Sequence, residues 1–171
     1  HELSHTWVAE KAGLKVKEVE LFPFGGVARL AGGLEYNPSL EIKVAFAGPL
    51  SNFFLLFLGL LARRYVNWNG YYWQLFQTIN LTMGLFNLLP AFPLDGGRIL
   101  RALLSYRLGI AEATYRTCLW GKYCSLGLVL LGLLSLYSGF SDLNIIVVAV
   151  FIYYAASKQE EANLYVFLLY L

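Results

Sequence analysis

Of 171 residues, 58% are hydrophobic and only 14% are charged, against roughly a quarter charged in soluble domains, so the composition is that of a membrane protein. The formal charge of +2, with no Lys/Arg-rich run, argues against nucleic acid as a partner. Two cysteines, Cys118 and Cys124, match neither C-x-x-C nor a common zinc spacing and read as packed free thiols.

The first element, "HELSHTWVAEKAG", reads as a helix stopped by Gly13. His1 and His5 are the only histidines in the chain. At i and i+4 they lie one above the other on one helical face, close enough to grip a single metal ion. Glu2 sits beside them, free to take a proton from a metal-activated water, which is the H-E-x-x-H pattern of zinc hydrolases. The plainer alternative makes the histidines helix-packing hydrogen-bonders.

Next, "KVKEVELFPFGGVARL" reads as a β-hairpin: Val16, Val19 and Leu21 alternate imperfectly among charges, and "FPFGG" supplies turn chemistry. Its centre is apolar, so Phe22, Phe24 and Val27 are expected to dip into the membrane or lie against helices. An open strand edge can pair with an extended peptide, and a connector that caps a bundle fits the same residues.

Four apolar blocks follow, Val44 to Ala62, Tyr72 to Phe92, about Leu119 to Tyr137, and Leu143 to Ser157, each near the roughly 17–25 residues of a membrane-crossing helix. Four crossings and a partial fifth at the start are expected. If the helices alternate, eleven cations lie on one side and only Arg63 and Arg64 on the other, which puts the richer side in the cytoplasm. Within the first block, "AGPLSN" suggests close packing at Gly48 and Pro49, while Asn52 either bonds helices together or lines the site.

A two-histidine site calls for a third ligand. Asp95 in "NLLPAFPLDGGRIL" is the leading candidate, because Pro90 and Pro93 should break the helix and Gly96 and Gly97 allow a tight turn toward the histidine face. A carboxylate there would equally suit the first turn of the following helix. Asp142 and Glu112 are weaker alternatives in polar turns. Asn87, read as part of the same helix as Asp95, could donate to the oxyanion of a tetrahedral intermediate or form an interhelical bond.

"HELSH", "FPFGG", "AGPLSN" and "NLLPAFPLDGG" together resemble the site-2 protease family of intramembrane zinc metalloproteases, in particular its stage IV sporulation branch, in order and spacing over nearly the whole chain. The resemblance implies one zinc ion per chain bound by His1, His5 and Asp95, Glu2 as general base, and Asn87 at the oxyanion or the substrate. It also implies substrate contacts at Phe22, Phe24, Gly25, Gly26 and Asn52.

The fold expected is an all-α polytopic membrane bundle with a membrane-associated β-hairpin after the zinc-binding helix. Residues 1–157 would form the protease core, with further sequence expected before His1, and 158–171 a cytoplasmic tail or the start of a following region. The expected setting is the cell membrane, multi-pass, with the active site toward the cytoplasm. The expected partners are the bilayer, a membrane-embedded or membrane-associated protein substrate such as a pro-sigma factor, and membrane inhibitors or regulators. Two other readings fit the residues: a noncatalytic metal-binding transporter or scaffold, and a protease that clears signal-peptide remnants or anti-sigma factors.

Overall fold

The computed structural model describes residues 1–22, 25–31, 37–65, 70–138 and 143–169. Two compact units, His1–Leu88 and Leu89–Leu171, are taken in turn.

In the first unit, helix α1 spans Glu2–Lys11 and ends where Gly13 takes a positive φ of 82°, a conformation that glycine adopts without steric cost. Strands β1 (Lys15–Phe22) and β2 (Gly25–Ala31) pair antiparallel, from Lys15 opposite Ala31 to Phe22 opposite Gly25, with an irregularity between Val16 and Glu18. Pro23 and Phe24, the latter expected at the substrate, lie outside the described residues.

Helix α2 (Pro38–Tyr65) contains Pro49, and helix α3 (Tyr71–Asn87) packs against it. Small residues make the approach close: a Cβ on Gly84 would come within 3.1 Å of the Phe53 ring, and one on Gly59 within 3.0 Å of Trp73. Membrane helices use glycine in this way, since packing rather than the hydrophobic effect drives their association.

The apolar block expected to run to Phe92 is helical only to Asn87, with Leu88 as its cap. Pro90 disfavours helical geometry at Leu89, so the helix gives way before the proline itself. Asn87 and Asp95, read from the sequence as sharing one helix, therefore belong to different ones.

The second unit opens with the turn that replaces that helix. Amide N–H groups of Ala91, Leu94 and Gly97 donate to the carbonyls of Leu89, Ala91 and Leu94, and the Phe92–Pro93 peptide is cis. Gly97 lies on this turn so closely that a Cβ there would be 2.6 Å from the Ala91 carbonyl carbon. Helix α4 (Asp95–Leu108) follows, and Gly109, with φ 77°, separates it from α5 (Ile110–Tyr137).

Helix α6 (Asn144–Leu169) packs along α5 and runs on past Ser157. Glycines again set the spacing, with Gly121 against Ala156 and Gly132 against Ile146. Lys122 of α5 pairs with Glu160 of α6, and the Asn163 amide donates to the Ala111 carbonyl at 2.9 Å.

Among the described residues, two helices are long and apolar enough to cross a membrane, α2 over Pro38–Arg63 and α5 over Ile110–Tyr137, where the sequence suggested four. At 17 residues, α3 extends about 25 Å at the helical rise, just short of a hydrocarbon core of about 30 Å. In α6 the apolar run is cut by Lys158, Glu160 and Glu161. The outward faces are apolar all the same: Leu50, Phe54 and Phe57 on α2, and Leu126, Leu130 and Leu134 on α5, are exposed. A surface of this kind belongs against lipid rather than water.

The close approach at Gly97 yields a stability test. Gly97→Ala should lower stability by about 1–3 kcal/mol, since the obstructing atoms are backbone and cannot rotate away. Thermal unfolding in detergent, followed by tryptophan fluorescence, would check it; an unchanged midpoint would contradict the packing described.

Candidate metal centre

His1 is the N-cap of helix α1, and its carbonyl accepts from Ser4 N–H at 2.9 Å and from His5 N–H at 3.4 Å. The helical repeat therefore brings the His1 and His5 rings together. Their centroids are 4.8 Å apart at an interplanar angle of 86°, and their Nε2 atoms lie 3.3 Å apart.

That separation is the one a shared zinc ion requires. Two nitrogens at about 2.0–2.1 Å from a tetrahedral centre sit about 3.3–3.4 Å from each other. The donor set also has the right chemistry, since neutral imidazole is a standard zinc ligand.

Helix α2 holds the pair from behind, through residues spaced four apart. At Val44 the backbone carbonyl accepts a hydrogen bond from His5 Nδ1 at 2.6 Å. A carbonyl can only accept, so His5 carries a proton on Nδ1, and in the neutral ring Nε2 is then the nitrogen able to bind a metal. One turn on, a Cβ at Gly48 would lie 2.3 Å from His5 Nε2 and 2.7 Å from His1 Cε1. Only glycine lets both rings rest there. One turn further, Asn52 Nδ2 is 3.3 Å from His1 Nδ1, and Asn52 is buried.

Among the residues singled out from the sequence, His1, His5 and Asn52 are thus in direct contact within the first unit. Asn52, expected from the sequence either to bond helices together or to line the site at the substrate, has its amide at the back of the His1 ring. Glu2 occupies the first turn of α1 between the two histidines, and its carbonyl accepts from Thr6 Oγ1 at 3.0 Å.

Asn87 ends α3 and donates from Nδ2 to the carbonyl of Met83 at 3.0 Å, which uses one of its two amide protons. Phe22, Gly25 and Gly26 are ladder residues, Phe22 opposite Gly25 and Leu21 opposite Gly26.

In the second unit Asp95 is the first residue of α4 and is buried, with no side-chain capping bond at that terminus. Its charge is favourable there, because the N-terminal end of a helix carries the positive end of the dipole. Glu112, the weaker ligand candidate, is engaged elsewhere: it accepts from Arg116 Nε at 2.7 Å on an exposed face of α5. Asp142 lies outside the described residues.

Two participants escaped the sequence reading. Val44 acts through its main chain, which no side-chain pattern reveals. Gly48 was legible as a packing residue, but nothing in the sequence said what packs on it.

Comparison with known proteins follows the same residues. The profile of Peptidase family M50 matches residues 1–70 and 62–128. A zinc metalloprotease of Methanocaldococcus jannaschii is 38% identical over 165 residues, which cover 94% of this chain and 46% of that protein. Stage IV sporulation protein FB of Bacillus subtilis is 34% identical over 113 residues, covering 66% of this chain and 39% of the relative. The chain thus spans less than half the length of these curated relatives. Among solved structures, the site-2 protease from M. jannaschii is similar with a TM-score of 0.72 at 37% identity, over 94% of this chain and 72% of that one.

The contact at Gly48 gives the prediction for this site. Gly48→Ala should drive the two rings apart and cut zinc bound per protein to below a tenth of the unaltered level. Elemental analysis of purified protein reads this directly, and full zinc content in the variant would refute the arrangement.

Proposed function

Because the chain belongs to peptidase family M50, the site-2 proteases, we propose that it is an intramembrane endopeptidase using one zinc ion, held by His1, His5 and Asp95. The observation that carries this reading is the convergence of two Nε2 atoms at 3.3 Å, with the His5 tautomer fixed by the Val44 carbonyl. When bound, zinc supplies Lewis acidity toward water and toward the scissile carbonyl.

The chain's own residues do the rest. Glu2, next to His1 in the first helical turn, takes the proton of the attacking water and returns it to the leaving amine nitrogen. Asn87 keeps one amide proton for Met83 and directs the other to the developing oxyanion. Asp95, in the first turn of α4, closes the ligand set.

A substrate helix hides its carbonyls in its own hydrogen bonds and must be unwound before cleavage. Strands β1 and β2 form a two-stranded ladder among the described residues, so each has an outer edge, and a peptide paired to one edge would be held extended. We assign the stretch from Phe22 to Gly26 to this task, as a membrane-associated hairpin beside the substrate entrance.

With the four apolar blocks crossing in alternation, the eleven-to-two distribution of cations supports a site opening toward the cytoplasm in a multi-pass protein of the cell membrane. The similarity to stage IV sporulation protein FB supports a place in sporulation; the substrate assigned in this reading is a membrane-associated protein such as a pro-sigma factor, under the control of membrane regulators. Residues 1–157 would form the catalytic core, with 158–171 leading out of it.

Glu2→Gln provides the decisive test. It should retain zinc and lower cleavage of a tagged membrane substrate by roughly 10²–10⁴-fold, the usual contribution of a general base. Unchanged cleavage would remove Glu2 from its role. Bound zinc without turnover on any of a panel of membrane substrates would favour a metal-binding scaffold instead.

A further inference from the structure

Helices α5 and α6 line a groove of about 560 Å³ that the zinc reading does not use. That volume falls within the roughly 300–1,000 Å³ of small-molecule sites. The buried Ser125 and Ala149 form its floor, and the exposed Leu126 and Val150 flank it. Lys122 and Tyr153 stand at one end and Val129 at the other, so one end is cationic and the other apolar.

The two ends lie at different depths of a membrane. Helix α5 carries no charged residue from Tyr123 to Tyr137, and α6 none from Asn144 to Ser157. Gly121 of α5 meets Ala156 of α6, which sets Trp120 and Tyr123 level with Tyr153 and Tyr154. All four rings are exposed, as in the aromatic belt at a membrane surface. The cationic end therefore sits at headgroup level and the apolar end among acyl chains.

Charge selects the headgroup. Lys122 Nζ donates to Glu160 and lies 5.9 Å from the centre of the Tyr153 ring. Glu160 stands about two helical turns beyond Tyr153 on α6, on the side away from the apolar end. Going outward, the groove thus presents apolar surface, then a cation, then an anion. A phospholipid that ends in a phosphate and a primary ammonium has the complementary order.

An ammonium has three N–H donors and a carboxylate several lone pairs, so Lys122 and Glu160 can each hold part of such a headgroup without releasing the other. A headgroup of net negative charge would place its surplus beside Glu160. A quaternary ammonium has no N–H to donate there.

We propose that this groove binds one phospholipid with an ethanolamine headgroup, its phosphate on Lys122, its ammonium on Glu160 and an acyl chain along Leu126, Val129 and Val150. Basic pockets between membrane helices are a recurrent setting for headgroup recognition. The site needs the membrane setting but not the zinc centre.

Native mass spectrometry of the full chain tests this. The protein is purified in detergent, freed of lipid and titrated with phosphatidylethanolamine, phosphatidylcholine or phosphatidylglycerol of identical acyl chains. One phosphatidylethanolamine per protein should bind roughly 10–100-fold more tightly than either other lipid, the worth of a charge-assisted hydrogen bond. Lys122→Glu combined with Glu160→Lys keeps an ion pair between the helices but reverses the order of charges, and should abolish that preference. Val150→Trp, which fills the groove from an exposed position, should remove the bound lipid.

Equal binding of the three lipids, tighter binding of either of the others, or a preference that survives the charge swap overturns the site. A dimer in place of the lipid adduct, lost in Val150→Trp, would give the groove to a second copy and overturn it too. Should the swapped variant fail to fold, Val150→Trp decides alone: loss of the selective adduct upholds the site, and its persistence overturns it.

Discussion

A main-chain carbonyl in the middle of an apolar helix has one expected donor, the amide four residues on. The Val44 carbonyl also receives the Nδ1–H of His5. This bond fixes which nitrogen of His5 is bare, how the ring is turned, and where its neighbour can sit. The His1 ring meets His5 edge to face, Gly48 leaves room for both rings, and Asn52 closes the far side. The apolar surroundings make each of these bonds stronger than it would be in water, and make any mismatch among them more costly.

The two units use one packing principle for different ends. In the first, glycines let α2 approach α3 and α1 closely, and the space at Gly48 is spent on imidazole rings. In the second, Gly121 and Gly132 bring α5 and α6 together, and Lys122 and Glu160 add an ion pair between helices that are otherwise mostly apolar. A charge in such a place is tolerable when its partner is adjacent. Gly97 serves a third purpose, allowing the turn after α3 to fold back on the start of α4, where Asp95 stands.

Much of this was readable in advance where a physical rule acts locally. The i, i+4 spacing of the histidines, the stop at Gly13 and the apolar character of α2 and α5 follow from helical period, backbone freedom and composition. What failed did so at boundaries. Hydropathy carried the second block to Phe92, although backbone geometry near Pro90 ends the helix at Asn87. Hydropathy also started the third block at Leu119, although α5 begins nine residues earlier, at Ile110, in a polar stretch that propensity supports. Around the metal centre, the sequence named the groups that face a ligand but not those behind them. A backbone acceptor leaves no trace in residue identity, and the sense of a hydrogen bond through an imidazole depends on its partners at both ends.

The use of a carbonyl behind His5 has a bearing on how this site tolerates inherited change. No single substitution at position 44 deletes the acceptor, because every amino acid brings the same group, and, apart from proline's conflict with the helix, the volume available to the buried Val44 side chain limits the choice. Position 48 is the reverse case, where any added carbon meets the rings. Of two neighbours a single turn apart, one is shielded from mutation by its chemistry and the other is fully exposed to it. Divergent copies of this helix can therefore vary at the residue that holds His5 most firmly while remaining fixed at one that merely leaves room.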